Sequence, residues 1–259
     1  MSRHSPFRCV VTGASRGIGA AIVRDLATPG HRIALSARTE VDLMAVADTL
    51  EIPTMVIPAD ALDPGTADLV INQVVQQWGG IDALVVNAGE GVSASIHRTG
   101  DALWQYMIDL NLSAPFRFLR AAIPVMKEQG FGRIVVIASV ASKVGAPYIS
   151  AYTAAKHGVL GLVRSAALEV APFGVTVNAV CPGYVDTPMT RRTIDTIVSK
   201  TGRDPDEVLQ TLAQEQEQEQ GHGKLIEPHE VAATVRFLIE DLGAINGQGI
   251  TLDGGKVHI

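Results

Sequence analysis

Seven short apolar runs, at residues 8–11, 32–35, 54–57, 83–86, 133–138, 175–180 and 249–252, punctuate this chain, with longer stretches of helical period between them. The runs at 83–86 (Ala-Leu-Val-Val) and 133–138 (Arg-Ile-Val-Val-Ile-Ala) show no polar alternation. A strand with one wet face alternates, whereas a strand covered on both faces does not; a parallel sheet flanked by helices covers both. The pattern therefore predicts an α/β fold, a doubly wound parallel sheet of seven strands with helices on both faces.

Composition agrees with that architecture. At 259 residues and 47% hydrophobic content, the chain supplies a full core and cannot be disordered over its bulk. No Ser/Gly/Pro-rich linker or solenoid repeat divides it, so one domain over 1–259 is expected. A net charge of −6 argues against nucleic acid as a partner. No apolar run approaches the ~18 residues of a membrane span. The opening Met1-Ser2-Arg3-His4-Ser5-Pro6 does not read as a secretory signal. Two cysteines, Cys9 and Cys181, are too few for a disulfide framework and read as buried thiols; a reducing, cytoplasmic location is expected. The histidines and cysteines show no close ligand spacing, so no metal is expected.

The first run ends in Thr12-Gly13-Ala14-Ser15-Arg16-Gly17-Ile18-Gly19, and a helical pattern follows at once. Glycines between a strand end and a helix start let a pyrophosphate approach the backbone, where free N–H groups and the helix dipole favour negative charge. Dinucleotide folds usually carry an acid at the end of the second strand to bond the ribose hydroxyls. Here Ala37 stands there, followed by Arg38. A guanidinium can bind a 2′-phosphate that an acid would repel. With Arg16 as a second cation, NADP(H) is expected over NAD(H); the alternative is that both arginines are simply solvated surface groups. Asp60, after the third run, could accept from an adenine amino group, or serve as a helix N-cap, as the nearby Asp63-Pro64 also reads.

Tyr152 and Lys156 stand four apart, one turn along one helix face. A free phenol, with a pKa near 10, is a poor proton donor or acceptor at neutral pH; a neighbouring ammonium stabilises its phenolate. Ser139 ends the buried-looking fifth run, at the carboxyl edge where open α/β sheets bind ligands. His157 projects about 100° away from its neighbour Lys156 and is discounted.

Taken together, these motifs resemble the classical short-chain dehydrogenase/reductase family over practically the whole chain. The family's T-G-x-x-x-G-x-G is residues 12–19, its N-A-G is Asn87-Ala88-Gly89, and its helix asparagine is Asn111. Its serine is Ser139, its Y-x-x-x-K is Tyr152 to Lys156, and its P-G with threonine is Pro182-Gly183-Tyr184-Val185-Asp186-Thr187. The resemblance implies a Rossmann-like fold. It makes Tyr152 the general acid in reduction, with Lys156 lowering its pKa and bonding the nicotinamide ribose. Ser139 would orient the carbonyl, and Asn111 would hold a water linking Lys156 to solvent. On the cofactor side it implies Gly13, Ser15, Arg16, Gly17, Ile18 and Gly19 at the pyrophosphate, Arg38 at the 2′-phosphate, and Asp60 and Ala61 at the adenine. Asn87, Ala88 and Gly89 would flank the cofactor, and Pro182, Gly183, Val185 and Thr187 would lie at the carboxamide. Val86 and Ala138 depart from the family's usual Asn and Ser without touching these roles.

The resemblance further implies an NADPH-dependent ketoreductase acting on a small ketone, such as a CoA or carrier-protein 3-oxoacyl thioester or a polyketide-like substrate. An NAD-linked alcohol or hydroxyacyl dehydrogenase working oxidatively, and a non-catalytic cofactor-sensing regulator, are the alternatives. Residues 187–227 read as an irregular insertion covering the substrate. Within it the Gln/Glu run 214–220 reads either as a solvated helical face or as part of a lid. Ala154, Gly158, Gly161 and Ser165 form a small-residue stripe. It serves either packing within one subunit or, with the helix expected at 101–126, a homodimer or homotetramer interface.

Overall fold

The computed structural model describes residues 7–214 and 224–257. Seven strands form one sheet: β1 (Phe7–Thr12), β2 (His31–Ala37), β3 (Thr54–Pro58), β4 (Ala83–Val86), β5 (Gly132–Ile137), β6 (Val175–Pro182) and β7 (Gly249–Leu252). Their order is β3-β2-β1-β4-β5-β6-β7 and every pairing is parallel. The chain winds outward from β1 in one direction and from β4 in the other, so the connections leaving these two strands diverge. That divergence opens a crevice at their carboxyl ends.

Helices α1 (Gly17–Leu26), α2 (Glu40–Ala47), α3 (Thr66–Trp78), α4 (Asp101–Ile108), α5 (Ala114–Gln129) and α6 (Ser150–Val170) follow the strands in turn, and α9 (Pro228–Glu240) precedes β7. The apolar runs are explained by two cores. Leu84 and Val86 face one, with Phe118, Leu119, Val159 and Leu160. Val85 and Val135 face the other, with Ile22, Leu26, Leu43 and Leu238. Successive side chains of a strand point to opposite faces, and here both faces are dry.

Three local readings need correction. Residues 187–227 are not irregular where described: α7 (Pro188–Thr201) and α8 (Pro205–Gln214) occupy most of them. Each opens on a proline suited to a first helical turn. The Thr187 hydroxyl caps α7 by accepting from Thr190 N, and Gly202 ends it at φ +68°. Their apolar side is narrow, with Ile194 packing on Val208 and Leu212, so the period is faint in sequence. Glu215, Glu217 and Glu219 lie outside the described residues.

Secondly, neither Asp60 nor Asp63 caps α3. Asp60 Oδ1 accepts from Leu62 N at 3.0 Å and Asp63 Oδ1 from Gly65 N at 2.8 Å, closing two turns before Gly65 begins the helix. Thirdly, the 101–126 helix is broken between α4 and α5 by a π-helical turn at Asp109–Ser113.

Candidate active site

The turn after β1 depends on its glycines. Gly13 and Gly17 have φ of +62° and +54°, a region that favours glycine. A Cβ on Gly13 would stand 2.8 Å from Asn87 Nδ2, and one on Gly19 would overlap the Gly13 carbonyl oxygen. Asn87 ties the turn to β4: its amide donates to the carbonyls of Thr12 and Gly13 at 3.0 Å each. In return Thr12 Oγ1 accepts from Asn87 N at 3.0 Å and Ala88 N at 3.1 Å. Asn87 therefore frames the cleft by fastening the ends of the two strands.

The N-terminus of α1 has no side-chain cap at Arg16 and no acid in its first turn. Four N–H groups of a helix start lack intrahelical partners, and these belong to a helix start that lines the cleft. The glycine cradle and the uncapped dipole fit a dinucleotide's pyrophosphate. Ser15, Gly17 and Ile18 line this end, and Arg16 and Arg38, both exposed, share one cleft with Ala37, Asp60 and Ala61. Ala88, Gly89 and Thr187 form its other end. Thr187 closes over the turn: a Cβ on Gly17 would meet Thr187 Cγ2 at 3.3 Å.

Several cleft residues escaped the sequence reading. Thr39 and Asp42 flank Arg38, while Glu90, Tyr106 and Arg192 meet across the opposite wall. The Tyr106 hydroxyl donates to Glu90 Oε2 at 2.7 Å, and Arg192 lies 3.7 Å from Glu90 Oε1. Burial, reinforced by the Glu90 carboxylate, pushes the Tyr106 pKa up to about 12. Adjacency to N-A-G was the one available signal for Glu90; Tyr106 and Arg192 arrive from elements far away in sequence.

Pro182, Gly183 and Val185 lie at the same sheet edge, behind Thr187. Gly183 N donates to Leu252 O at 2.8 Å, and the Val185 carbonyl accepts from Thr190 Oγ1 at 2.6 Å. These three do not line the cleft itself.

Ser139, Tyr152, Lys156 and Asn111 gather beside this cleft. Ser139 follows β5, and its Oγ accepts from Ala141 N at 3.1 Å. Tyr152 and Lys156 share one face of α6, with the ammonium 5.6 Å from the ring centre. Lys156 is 5% exposed, donates to the Ile137 carbonyl at 2.9 Å, and has its pKa pushed down to about 8 by burial. The lowering of the Tyr152 pKa expected from Lys156 is not what the structure gives. Burial raises the phenol to about 12, and it is a hydrogen bond with Ser139 that draws it partly back.

Asn111, fully buried, sits in the π-turn. Its amide donates to the carbonyls of Glu90 at 3.0 Å and Met107 at 3.1 Å, and its Oδ1 accepts from Glu90 N at 3.3 Å. A Cβ on Gly89 would be 2.9 Å from Asn111 Oδ1 and 3.6 Å from Lys156 Nζ, so the glycine lets these groups converge. His157 is exposed, with its Nδ1 on the Thr153 carbonyl.

The family model described as short chain dehydrogenase matches residues 8–198. The chain belongs to the short chain dehydrogenase family. As a short chain dehydrogenase it is an oxidoreductase acting on hydroxyl and keto groups. It is 38% identical to the D-beta-hydroxybutyrate dehydrogenase of Rhizobium meliloti (strain 1021), over 95% of this chain and 96% of that protein. It is 35% identical to the 3-oxoacyl-acyl-carrier-protein reductase of Escherichia coli (strain K12), over 96% and 97% of the two chains. A crystal structure of a variant actinorhodin polyketide ketoreductase with NADPH superposes with a TM-score of 0.90 at 32% identity, covering 96% of this chain and 97% of that one. Among the described residues, no helix of this short chain dehydrogenase is long and apolar enough to cross a membrane.

Proposed function

We propose that this short chain dehydrogenase is an NADPH-dependent ketoreductase whose substrate is a 3-oxoacyl thioester or a polyketide-like ketone. The observation that carries the reading is the Ser139–Tyr152 hydrogen bond beside the buried Lys156. Arg16 and Arg38 hold the 2′-phosphate, and the first turn of α1 with Ser15, Gly17 and Ile18 holds the pyrophosphate. Asp60 and Ala61 meet the adenine. Ala88, Gly89 and Lys156 meet the nicotinamide ribose, and Thr187, which lines the cleft, meets the carboxamide. Bound NADPH supplies the hydride.

The residues supply the proton and its electrostatics. Tyr152, raised to about 12 by burial, is a neutral phenol at physiological pH. It is a weaker acid than a free phenol, so proton transfer relies on the negative charge developing on the ketone oxygen and on the Lys156 ammonium near its ring. Ser139 donates to the ketone oxygen and aligns it with the Tyr152 hydroxyl, which hands over its proton as negative charge develops there. Phenolate at position 152 is then stabilised by the Lys156 ammonium in a low-dielectric site, where a charge interaction counts for more than in water. Asn111 connects Lys156 to solvent through the widened backbone of its π-turn, so the proton is replaced. α7 and α8 cover the substrate. Assembly into a homo-oligomer through α5 and α6, and a cytoplasmic location, complete the reading.

Tyr152→Phe tests it. Removing one hydroxyl leaves the ring and the cleft intact, so NADPH binding should persist while ketone reduction falls at least ~10²–10⁴-fold, the range that positioned proton transfer contributes. Turnover at the wild-type rate would overturn the mechanism. The hydroxybutyrate dehydrogenase relative supports a second reading, NAD-linked oxidation of a hydroxy compound. Initial rates with both cofactors in both directions decide between the two. A cofactor-sensing regulator would show binding without turnover in the wild type.

A further inference from the structure

A hydroxyl has one proton to give and two lone pairs to receive, so Ser139 can serve a ketone as donor when its lone pairs are occupied and its proton is aimed. The structure meets both conditions. Ser139 Oγ accepts from Ala141 N at 3.1 Å. Burial raises the Tyr152 pKa, and the hydrogen bond with Ser139 acts against that rise. A bond with that effect stabilises the phenolate, which can accept but not donate, so Ser139 is the donor in it.

The short turn that follows β5 sets this orientation. Val140–Ser142 is a single turn of 3₁₀ helix. Ser142 N donates to the Ser139 carbonyl at 2.9 Å, and the Ser142 hydroxyl reaches back to accept from Ser139 N at 3.3 Å. Glu or Gln usually makes that return bond in a helix start. A serine reaches the same N–H because the turn is tight, and it brings no charge towards Tyr152. Ser142 is 3% exposed, so water is not at hand to replace its oxygen. The turn is also fastened at both ends. Upstream, Ala138 N donates to the Val180 carbonyl at 2.8 Å and Lys156 Nζ to the Ile137 carbonyl at 2.9 Å. Downstream, Lys143 Nζ reaches past β6 to donate to Thr251 Oγ1 on β7 at 2.7 Å.

We infer that Ser142 is a positioning residue: by accepting from Ser139 N it holds the turn in the form that keeps Ser139 Oγ on Ala141 N and the Ser139 proton directed at Tyr152 and the ketone oxygen. The inference rests on the ketoreductase reading above and deepens it. Ser142 does not line the cleft and acts through Ser139. Without its hydroxyl, Ser139 N loses its acceptor where solvent is scarce, and the turn relaxes to find another. About an ångström of movement in a group that must meet developing charge costs up to ~10²-fold in rate.

The test is a double-mutant cycle of Ser139→Ala and Ser142→Ala with two readouts. The first is NADPH-dependent reduction of the N-acetylcysteamine thioester of acetoacetate and of the bicyclic ketone 1-decalone. Ser142→Ala should lower kcat about tenfold and leave the KM for NADPH unchanged. With Ser139 already alanine, it should lower kcat by less than about twofold more. The second readout is carbon-13 NMR of protein labelled at tyrosine Cζ, with the Tyr152 signal assigned by its absence from Tyr152→Phe. Ser139→Ala and Ser142→Ala should shift that signal in the same direction, and the double variant should move it no further than Ser139→Ala alone. A merely structural cap would lower Tm while kcat and the Tyr152 signal stay at their wild-type values. That result, or an equal loss of kcat with and without Ser139, overturns the inference and leaves the ketoreductase reading standing. A wild-type protein that binds NADPH but reduces neither ketone overturns the ketoreductase reading instead, and the NMR cycle still decides whether Ser142 orients Ser139.

Discussion

Arg192, on α7, holds its guanidinium 3.7 Å from Glu90 Oε1, while the other oxygen of Glu90 accepts the Tyr106 hydroxyl at 2.7 Å. The pair joins the helix that follows Thr187 to the segment that follows β4, tying two elements together along one wall of the cleft. It also neutralises a carboxylate lining a cleft meant for a phosphate-rich ligand. Both side chains are partly in solvent, which limits such a pair to about 0.2–1 kcal/mol. Arg192→Ala should accordingly speed NADPH release by about 1.5- to 5-fold, read by stopped-flow displacement of the bound nucleotide. Raising the salt concentration should move the wild type in the same direction, since exposed charges are screened. Adding Glu90→Gln to Arg192→Ala should restore equilibrium affinity without slowing release, because the bare carboxylate is gone but the tie is not rebuilt. Release unchanged in both variants would dismiss the tie.

Selection between cofactors should turn on Arg38, which lines the cleft after Ala37. Bidentate guanidinium–phosphate bonding is charge-assisted and about twice as strong as a neutral pair. Arg38→Asp replaces it with a like charge facing the 2′-phosphate, so the ratio of kcat/KM for NADPH over NADH should fall about 100-fold or more, on the order of 3 kcal/mol. Steady-state rates with each cofactor measure it, and an unchanged ratio would mean that Arg38 only decorates the surface.

What could be read from the chain, and what could not, follows from the range of the interactions. β4 and β7 occur at the expected residues because the signal is local in both, an uninterrupted buried run in Ala83–Val86 and a short Ile/Leu pair around Thr251 in Gly249–Leu252. Gly13, Gly17 and Gly19 were legible because the turn's own backbone demands them. The Glu90–Arg192–Tyr106 cluster was not, since three elements must fold before its members meet. The π-turn around Asn111 escaped because Asp109-Leu110-Asn111-Leu112 keeps an ordinary helical appearance; the extra residue in the turn is imposed by packing, with Asn111 bonded back to Glu90 and Met107. The small-residue stripe divides in two. Gly158 faces Leu112 within the same chain, where a Cβ would come to 2.9 Å, whereas Gly161 has open space.

The buried ammonium of Lys156 gives a pH signature of its own. Its pKa is about 8 in the folded protein against an ordinary 10.5. Between those values the unfolded chain holds a proton that the native state lacks, so stability rises with pH across that window. Below about pH 8 both states are protonated and the full desolvation cost falls on the fold. Tyr152 acts oppositely at higher pH: with its pKa raised from 10.0 to about 12, its contribution is complete below pH 10 and is lost as pH climbs through about 12. Lys156→Met should therefore raise Tm at pH 7 by about 2–4 °C per kcal/mol of relieved cost, flatten the rise in Tm from pH 8 to 10.5, and abolish turnover. Lys156→Arg keeps its charge at all these pH values, so a fall in reduction rate above about pH 8 in the wild type should disappear in that variant. Thermal melts and rate profiles across pH 6–11 check both, and a Tm that drops in Lys156→Met would show that the amine's bond to Ile137 outweighs its burial.

Two glycine-to-alanine changes should move stability in opposite directions. At Gly19 the new Cβ would overlap the Gly13 carbonyl oxygen and stand 2.6 Å from Asn87 Nδ2. The first of these neighbours is backbone held by the Asn87 amide and cannot swing away, so overpacking of about 1–3 kcal/mol is expected. Any relaxation widens the turn, so NADPH binding should weaken along with stability. At Gly161, inside α6, no atom beyond the neighbouring turns of the helix backbone lies within 4 Å of the added Cβ. There the change only removes the flexibility that glycine brings to a helix, for a gain of about 0.5–1 kcal/mol. Urea unfolding of both variants at a protein concentration low enough to keep the chains apart isolates these terms. If Gly161→Ala instead becomes destabilising as concentration rises, the open face at that position is filled by a second chain in solution, and the stripe's outer half belongs to an interface.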